Sequence, residues 1–154
     1  HAQQHNFTTY SVREGLAQSE VQTIIEDQWG YLWVGTHGGG LCQFDGARFV
    51  TYTTQDGLQS NYIHSLFEDE EGTIWIGTTN GINQFKNDSL LIFSEPLKVN
   101  IVHDFEQDDT GEVWLNDGHL YNIDNTMDNI YYLMENLLYH HYHYYLRNIF
   151  ILHK

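Results

Sequence analysis

The stretch Gly15-Leu16-Ala17-Gln18-Ser19-Glu20-Val21-Gln22-Thr23-Ile24-Ile25-Glu26-Asp27-Gln28-Trp29-Gly30-Tyr31-Leu32-Trp33-Val34-Gly35-Thr36 decides the fold, because it returns further along the chain. The second copy reads Gly57-Leu58-Gln59-Ser60-Asn61-Tyr62-Ile63-His64-Ser65-Leu66-Phe67-Glu68-Asp69-Glu70-Glu71-Gly72-Thr73-Ile74-Trp75-Ile76-Gly77-Thr78. Gly15 to Gly57, Asp27 to Asp69, Gly30 to Gly72, Trp33 to Trp75 and Gly35 to Gly77 all share an offset of 42. Gly40-Leu41-Cys42-Gln43-Phe44 then matches Gly81-Ile82-Asn83-Gln84-Phe85 at 41, so one residue is lost in a loop. A decayed third copy, Val102 to Leu115, follows at 39 and keeps Gly111 and Trp114 but puts Asn116 where the Gly-Thr pair begins.

A period of about 40–45 residues is that of a four-stranded propeller blade. The local chemistry agrees. Val21, Thr23, Ile25 and Ile63, Ser65, Phe67 alternate as strands do. Asp27-Gln28-Trp29-Gly30 and Asp69-Glu70-Glu71-Gly72 read as hairpin turns, and Leu32-Trp33-Val34 and Ile74-Trp75-Ile76 as short β-rich runs. The expectation is an all-β fold of about three four-stranded antiparallel blades in an incomplete ring, with an irregular or helical C-terminal tail. Residues 1–9 read as an N-terminal tail, 10–53 as blade 1, 54–94 as blade 2, 95–127 as a degenerate blade 3, and 128–154 as an aromatic, His-rich tail outside the repeat.

Composition narrows the function classes. The 154 residues carry 21 acidic against 6 basic side chains, a net charge of −15. Of these, 19 acidic and 4 basic residues lie in residues 1–127, so the acidity belongs to the blades. Such a surface disfavours nucleic acid and anionic lipid, both of which need Lys and Arg. Cys42, the one cysteine, can form no internal disulfide and falls at a strand position that is Asn83 in the second repeat, so it is not read as a nucleophile. No uninterrupted apolar run reaches the roughly 18 residues of a membrane span. The opening His1-Ala2-Gln3-Gln4-His5 shows no signal peptide and suits the trimmed start of an exported protein.

The pattern of Gly-Leu, a β-run ending in Glu-Asp, a turn Gly, Leu/Ile-Trp-Val/Ile-Gly-Thr and Gly-Leu/Ile-x-x-Phe resembles the two-component regulator propeller repeat. The resemblance implies the extracytoplasmic sensor region of a hybrid histidine kinase, at the periplasm or cell surface, with the kinase outside this chain. It also implies glycan-derived ligands.

In such blades Asp27, Gly30, Trp33, Gly35, Asp69, Gly72, Trp75, Gly77, Gly111 and Trp114 are structural repeat positions. The three Trp residues read as blade packing rather than sugar stacking, while Trp29 sits unmatched in a turn and is expected to be exposed. One face gathers Gln18, Ser19, His37, Gln59, Ser60, Asn61, Thr79 and Asn80, whose amides and hydroxyls both donate and accept and so suit an oligosaccharide or other small polar ligand. The same residue types also simply solvate loop tips. No catalytic residue, cofactor or metal is assigned. Asp104 to Gly111 lacks the ligand order of a calcium loop and reads as a strand end and turn. Thr36 to Gly40 is Gly-rich but precedes no helix. The tract His140, His141, His143 is a weak candidate for transition metals.

Two further readings stand beside the sensor. One is a propeller enzyme, a lyase or a glycoside hydrolase using Glu26-Asp27 or Glu68-Asp69; their recurrence at one repeat position favours a structural role. The other is a self-assembling structural module. Closed propellers need about 4–8 blades, so the expected partners include further blades or a second copy of the chain.

Overall fold

The computed structural model describes residues 8–93, 99 and 101–123. The His-rich tract and the rest of the C-terminal tail lie outside the described residues. Three antiparallel sheets follow one another along the chain. Blade 1 is β1 (Val21–Glu26), β2 (Leu32–Thr36), β3 (Leu41–Phe44) and β4 (Phe49–Tyr52). Blade 2 is β5 (Ile63–Glu68), β6 (Ile74–Thr78), β7 (Gly81–Lys86) and β8 (Ser89–Ile92). Blade 3 is β9 (Asp104–Gln107), β10 (Val113–Asn116) and β11 (Leu120–Asn122). Each sheet is a meander in which sequence neighbours pair, and β1, β5 and β9 lie side by side along one edge of the fan. The ring is not closed.

The fold is all-β because each short strand is bounded by a turn that its own side chains close. Asp27 Oδ1 accepts from the N–H groups of Trp29 (3.0 Å) and Tyr31 (2.9 Å), and its Oδ2 accepts the Trp33 indole N–H at 2.8 Å. Asp69 does the same for Glu71, Thr73 and Trp75. Asp108 repeats it for Thr110, Glu112 and Trp114. One carboxylate thus closes the hairpin and fixes the Trp rotamer, which explains why Asp and Trp travel together six residues apart. The turn glycines Gly30, Gly72 and Gly111 all hold positive φ.

The core lies between blades. Trp33, Leu41, Leu58, Ile63, Leu66, Ile74, Ile76 and Phe85 fill the first interface. Trp75, Ile82, Val102, Phe105, Val113, Leu115 and Ile123 fill the second. Each fully buried aliphatic there contributes about 1.5–3 kcal/mol of transfer free energy. Trp33 packs 4.8 Å from Phe85 and 6.2 Å from Tyr52, so this Trp is a packing residue, and Trp75 takes the same role against Phe93 and Phe105.

Gly35 and Gly77 set how closely blades approach. A Cβ on Gly35 would lie 2.6 Å from Ile63 Cγ2, and one on Gly77 would lie 2.8 Å from Val102 Cβ. The next blade therefore rests on bare backbone.

One expectation from the sequence fails in detail. Strict alternation puts Ile63, Ser65 and Phe67 on one face. The register instead slips between Ile63 and Ser65, as it does between Val21 and Thr23. This bulge leaves His64 as the extra residue and turns Ile63 and Leu66 toward blade 1, while Ser65 donates to Val102 O at 2.8 Å and Phe67 packs toward blade 3.

Candidate functional site

The strands deliver their connecting loops to two opposite faces. The face with the hairpin turns is closed across blades by a repeated contact. Gln28 N–H donates to Glu68 Oε2 at 3.0 Å, and Glu70 N–H donates to Gln107 Oε1 at 2.9 Å. Glu68 and Asp69 thus hold turns and neighbours, which is a structural use of the paired carboxylates. Trp29 is 66% exposed, as its unmatched turn position suggests, and its ring lies over Gly72.

The other face carries the eight candidate residues, and the structure divides them. Gln59, Ser60 and Asn61 are committed to the backbone. Gln59 Nε2 donates to Ile82 O at 2.6 Å, Ser60 is buried and accepts from Tyr62 N–H, and Asn61 Oδ1 accepts from Thr54 N–H at 2.8 Å. Asn61 O also takes the Gly38 and Gly40 N–H groups, tying the blade 1 loop to blade 2. Gln18 Oε1 accepts from Ser19 N–H and Oγ, a local turn, and Asn80 Nδ2 donates to Gln59 O at 3.4 Å.

His37 and Thr79 both border Tyr62 at the seam between blades 1 and 2, His37 through an antiparallel bridge and Thr79 through its N–H, which donates to Tyr62 O at 3.1 Å. His37 lies edge-on to Tyr62, ring centroids 4.8 Å apart, and its Nδ1 is 3.4 Å from Glu20 Oε2. Thr79 Oγ1 is 3.0 Å from His64 Nε2. Burial, with the neighbouring His37 and His103, lowers the His64 pKa below its ordinary value, which favours the neutral imidazole. Glu20, Tyr62 and His64 lie beside His37 and Thr79 and are neighbours of the candidates that the sequence reading passed over. Alignment of the repeats could have found the last of them: Gln22, His64 and His103 occupy one position in the three copies.

Among the described residues no group of three or more His, Cys, Asp or Glu is disposed to hold a metal ion. Asp104 to Gly111 folds as β9 and its turn. No described helix is long and apolar enough to cross a membrane. Cys42 is buried, and its Sγ accepts from Ala17 N–H at 3.3 Å.

Radially stacked antiparallel sheets, joined by short connectors and sealed by inter-blade Trp residues, define a β-propeller. The pattern of the two component regulator propeller family matches residues 15–38 in blade 1 and 57–80 in blade 2. The fold is similar to the extracellular domain of a protein described as a hybrid two component system from B. thetaiotaomicron, at 25% identity and a TM-score of 0.62 over 72% of this chain and 16% of that one. It is also similar to the extracellular domain of a B. thetaiotaomicron one component system, at 21% identity and a TM-score of 0.57 over 71% of this chain and 17% of that one. A virginiamycin B lyase from Staphylococcus aureus shares the fold at 14% identity and a TM-score of 0.58, over 75% of this chain and 44% of the lyase. The chain therefore spans less than a fifth of the length of the two extracellular domains. No curated protein matches it.

Proposed function

We propose that this chain is part of an extracytoplasmic ligand-binding propeller of a two-component sensor, that it takes a small neutral polar ligand of glycan type, and that the signal passes to a kinase outside the chain. The repeat family and the extracellular domains similar to it support the sensor class. The single observation that carries the ligand reading is the seam of His37, Tyr62, His64 and Thr79. There an exposed aromatic edge, an imidazole and a hydroxyl from two blades converge. Such groups donate and accept in turn, which suits sugar hydroxyls, and a net charge of −15 repels anionic ligands. A ligand bridging His37 of blade 1 and Thr79 of blade 2 stabilises one inter-blade arrangement over others, which is what a sensor must do.

The test is a thermal-shift screen of the chain against a panel of neutral oligosaccharides. A rise in Tm is expected for the unaltered chain and for Trp29→Ala on the opposite face, and its loss is expected in His37→Ala and Tyr62→Ala. A rise that survives both seam substitutions overturns the seam as the site. Turnover of an oligosaccharide that is lost in Glu26→Gln or Glu68→Gln replaces the sensor with an enzyme.

A further inference from the structure

Trp29 is the one Trp for which the repeat has no use. The indole N–H groups of Trp33, Trp75 and Trp114 are each held by the aspartate six residues earlier. Trp29 instead stands two residues past Asp27, where blades 2 and 3 carry Glu71 and Thr110, so the turn closes without an indole. The position also stays open when a blade has neighbours on both sides. The Glu71 side chain, in blade 2 between blades 1 and 3, is still 73% exposed. A Trp that is 66% exposed at such a place leaves a large apolar ring in water and adds little to packing.

The ring is nevertheless held in place. A Cβ on Gly72 would lie 2.7 Å from Trp29 Cη2, so the indole rests on the bare backbone of the blade 2 turn. Its neighbour Gln28 donates its N–H to Glu68 across the same seam. Glu70 and Glu71, both exposed, immediately precede Gly72, and Gln107 fixes that turn by accepting the Glu70 N–H at 2.9 Å. A flat apolar surface and two carboxylates therefore sit together on two neighbouring, braced turns.

The charge at this end of the molecule selects what covers the ring. The hairpin turns at 26–31, 45–48, 68–73, 86–89 and 107–112 carry eleven acidic and two basic side chains. The opposite loops at 11–20, 36–40, 53–62, 78–81 and 116–119 carry four and one. Lys86, one of the two bases, is already paired with Glu71 at 2.7 Å. An anionic partner is repelled here, whereas a cation is drawn both to the indole face and to the carboxylates. A guanidinium suits the pair better than an ammonium, because its plane stacks on the ring while its N–H fork reaches a carboxylate.

We propose that Trp29, with Glu70 and Glu71, is a docking surface for an arginine-bearing polypeptide segment of a partner protein. It lies on the face opposite the seam of His37 and Tyr62 and is independent of the ligand reading. The ring supplies the anchor and the preference for arginine. The carboxylates supply attraction that any cation shares.

The test titrates the ¹⁵N-labelled chain at low salt with a synthetic Gly-Arg-Gly-Arg-Gly peptide and with its lysine counterpart. The Trp29 indole N–H resonance is expected to move, while those of Trp33, Trp75 and Trp114, each held by its aspartate, stay in place. The arginine peptide is expected to bind more tightly than the lysine one. Trp29→Thr installs the blade 3 residue and should keep the urea midpoint. It is expected to weaken arginine-peptide binding by about two- to fivefold and to erase the preference over lysine. Glu70→Gln is expected to weaken both peptides alike. Equal affinities of the unaltered chain and Trp29→Thr for the arginine peptide overturn the proposal and leave diffuse charge attraction only. So does a neutral oligosaccharide that moves the Trp29 indole resonance where the peptide does not, which would give the ring to a sugar.

Discussion

A single carboxylate does the most in each blade. Asp69 accepts two backbone N–H groups and the Trp75 indole, so Asp69→Ala leaves three donors short of an acceptor. With a buried unpaired donor costing about 1–3 kcal/mol, the substitution should cost at least about 2 kcal/mol, read as a lowered urea midpoint. Asp109→Ala, one residue past the equivalent aspartate on an exposed turn, should stay within about 0.5 kcal/mol of the unaltered chain. Equal losses would remove the indole contact from the account. Asp108 adds a pH signature. Its burial favours the neutral acid, but the Thr110 and Trp114 side chains and the Thr110 and Glu112 N–H groups outweigh that and hold its pKa at about 2 against an ordinary 3.8. A folded pKa below the unfolded one gives stability that is present above pH 3.8 and lost as pH falls toward 2. Asp108→Asn should flatten that part of the stability profile, measured as the difference from the unaltered chain at pH 5, 3 and 2.

At the scale of the element, comparison of blades shows how one strand position is solved twice. In blade 2, Asn83 Oδ1 accepts from Gln59 N–H at 2.9 Å, while its Nδ2 donates to Gly57 O at 2.9 Å and Leu91 O at 3.1 Å. In blade 1 the same place holds Cys42, whose sulfur takes the matching Ala17 N–H at 3.3 Å and pairs with the Thr51 hydroxyl at 3.6 Å. Cys42→Asn should therefore keep or raise Tm by rebuilding the blade 2 network toward Gly15 and Val50. Cys42→Leu should lower Tm, because the Ala17 N–H then loses its acceptor in a half-buried site. A lower Tm for the asparagine than for the leucine would break the equivalence. This is also where legibility in the sequence ended. The offset of 42 made the strands, turns and Trp roles readable, since identical residues at a fixed spacing must meet identical surroundings. It could not reveal that Gln59 and Asn61 spend their amides on backbone, or that His64 sits in a bulge. Those depend on which face a residue takes after one slipped register step, and alternation alone carries no trace of that step.

The whole molecule stands under its own charge. Residues 1–127 hold 19 acidic and 4 basic side chains, and these blades are what pack together. The inter-blade surfaces themselves are apolar or hydrogen-bonded, so repulsion acts mainly between exposed carboxylates such as Glu70, Asp109 and Glu106. Exposed ion pairs such as Lys86 with Glu71 at 2.7 Å return little, about 0–1 kcal/mol each. Salt weakens both terms, but the excess of acidic residues makes repulsion the larger one. The Debye length shrinks from about 14 Å at 0.05 M to about 4 Å at 0.5 M NaCl, so distant carboxylates cease to interact. Raising NaCl across that range should increase Tm, and Lys86→Ala should leave the slope nearly unchanged. Potassium glutamate and sodium chloride at matched ionic strength should act alike at the low end, where screening rather than ion-specific exclusion operates. A Tm that falls with salt would mean that attractive pairs, not self-repulsion, dominate the field of these blades.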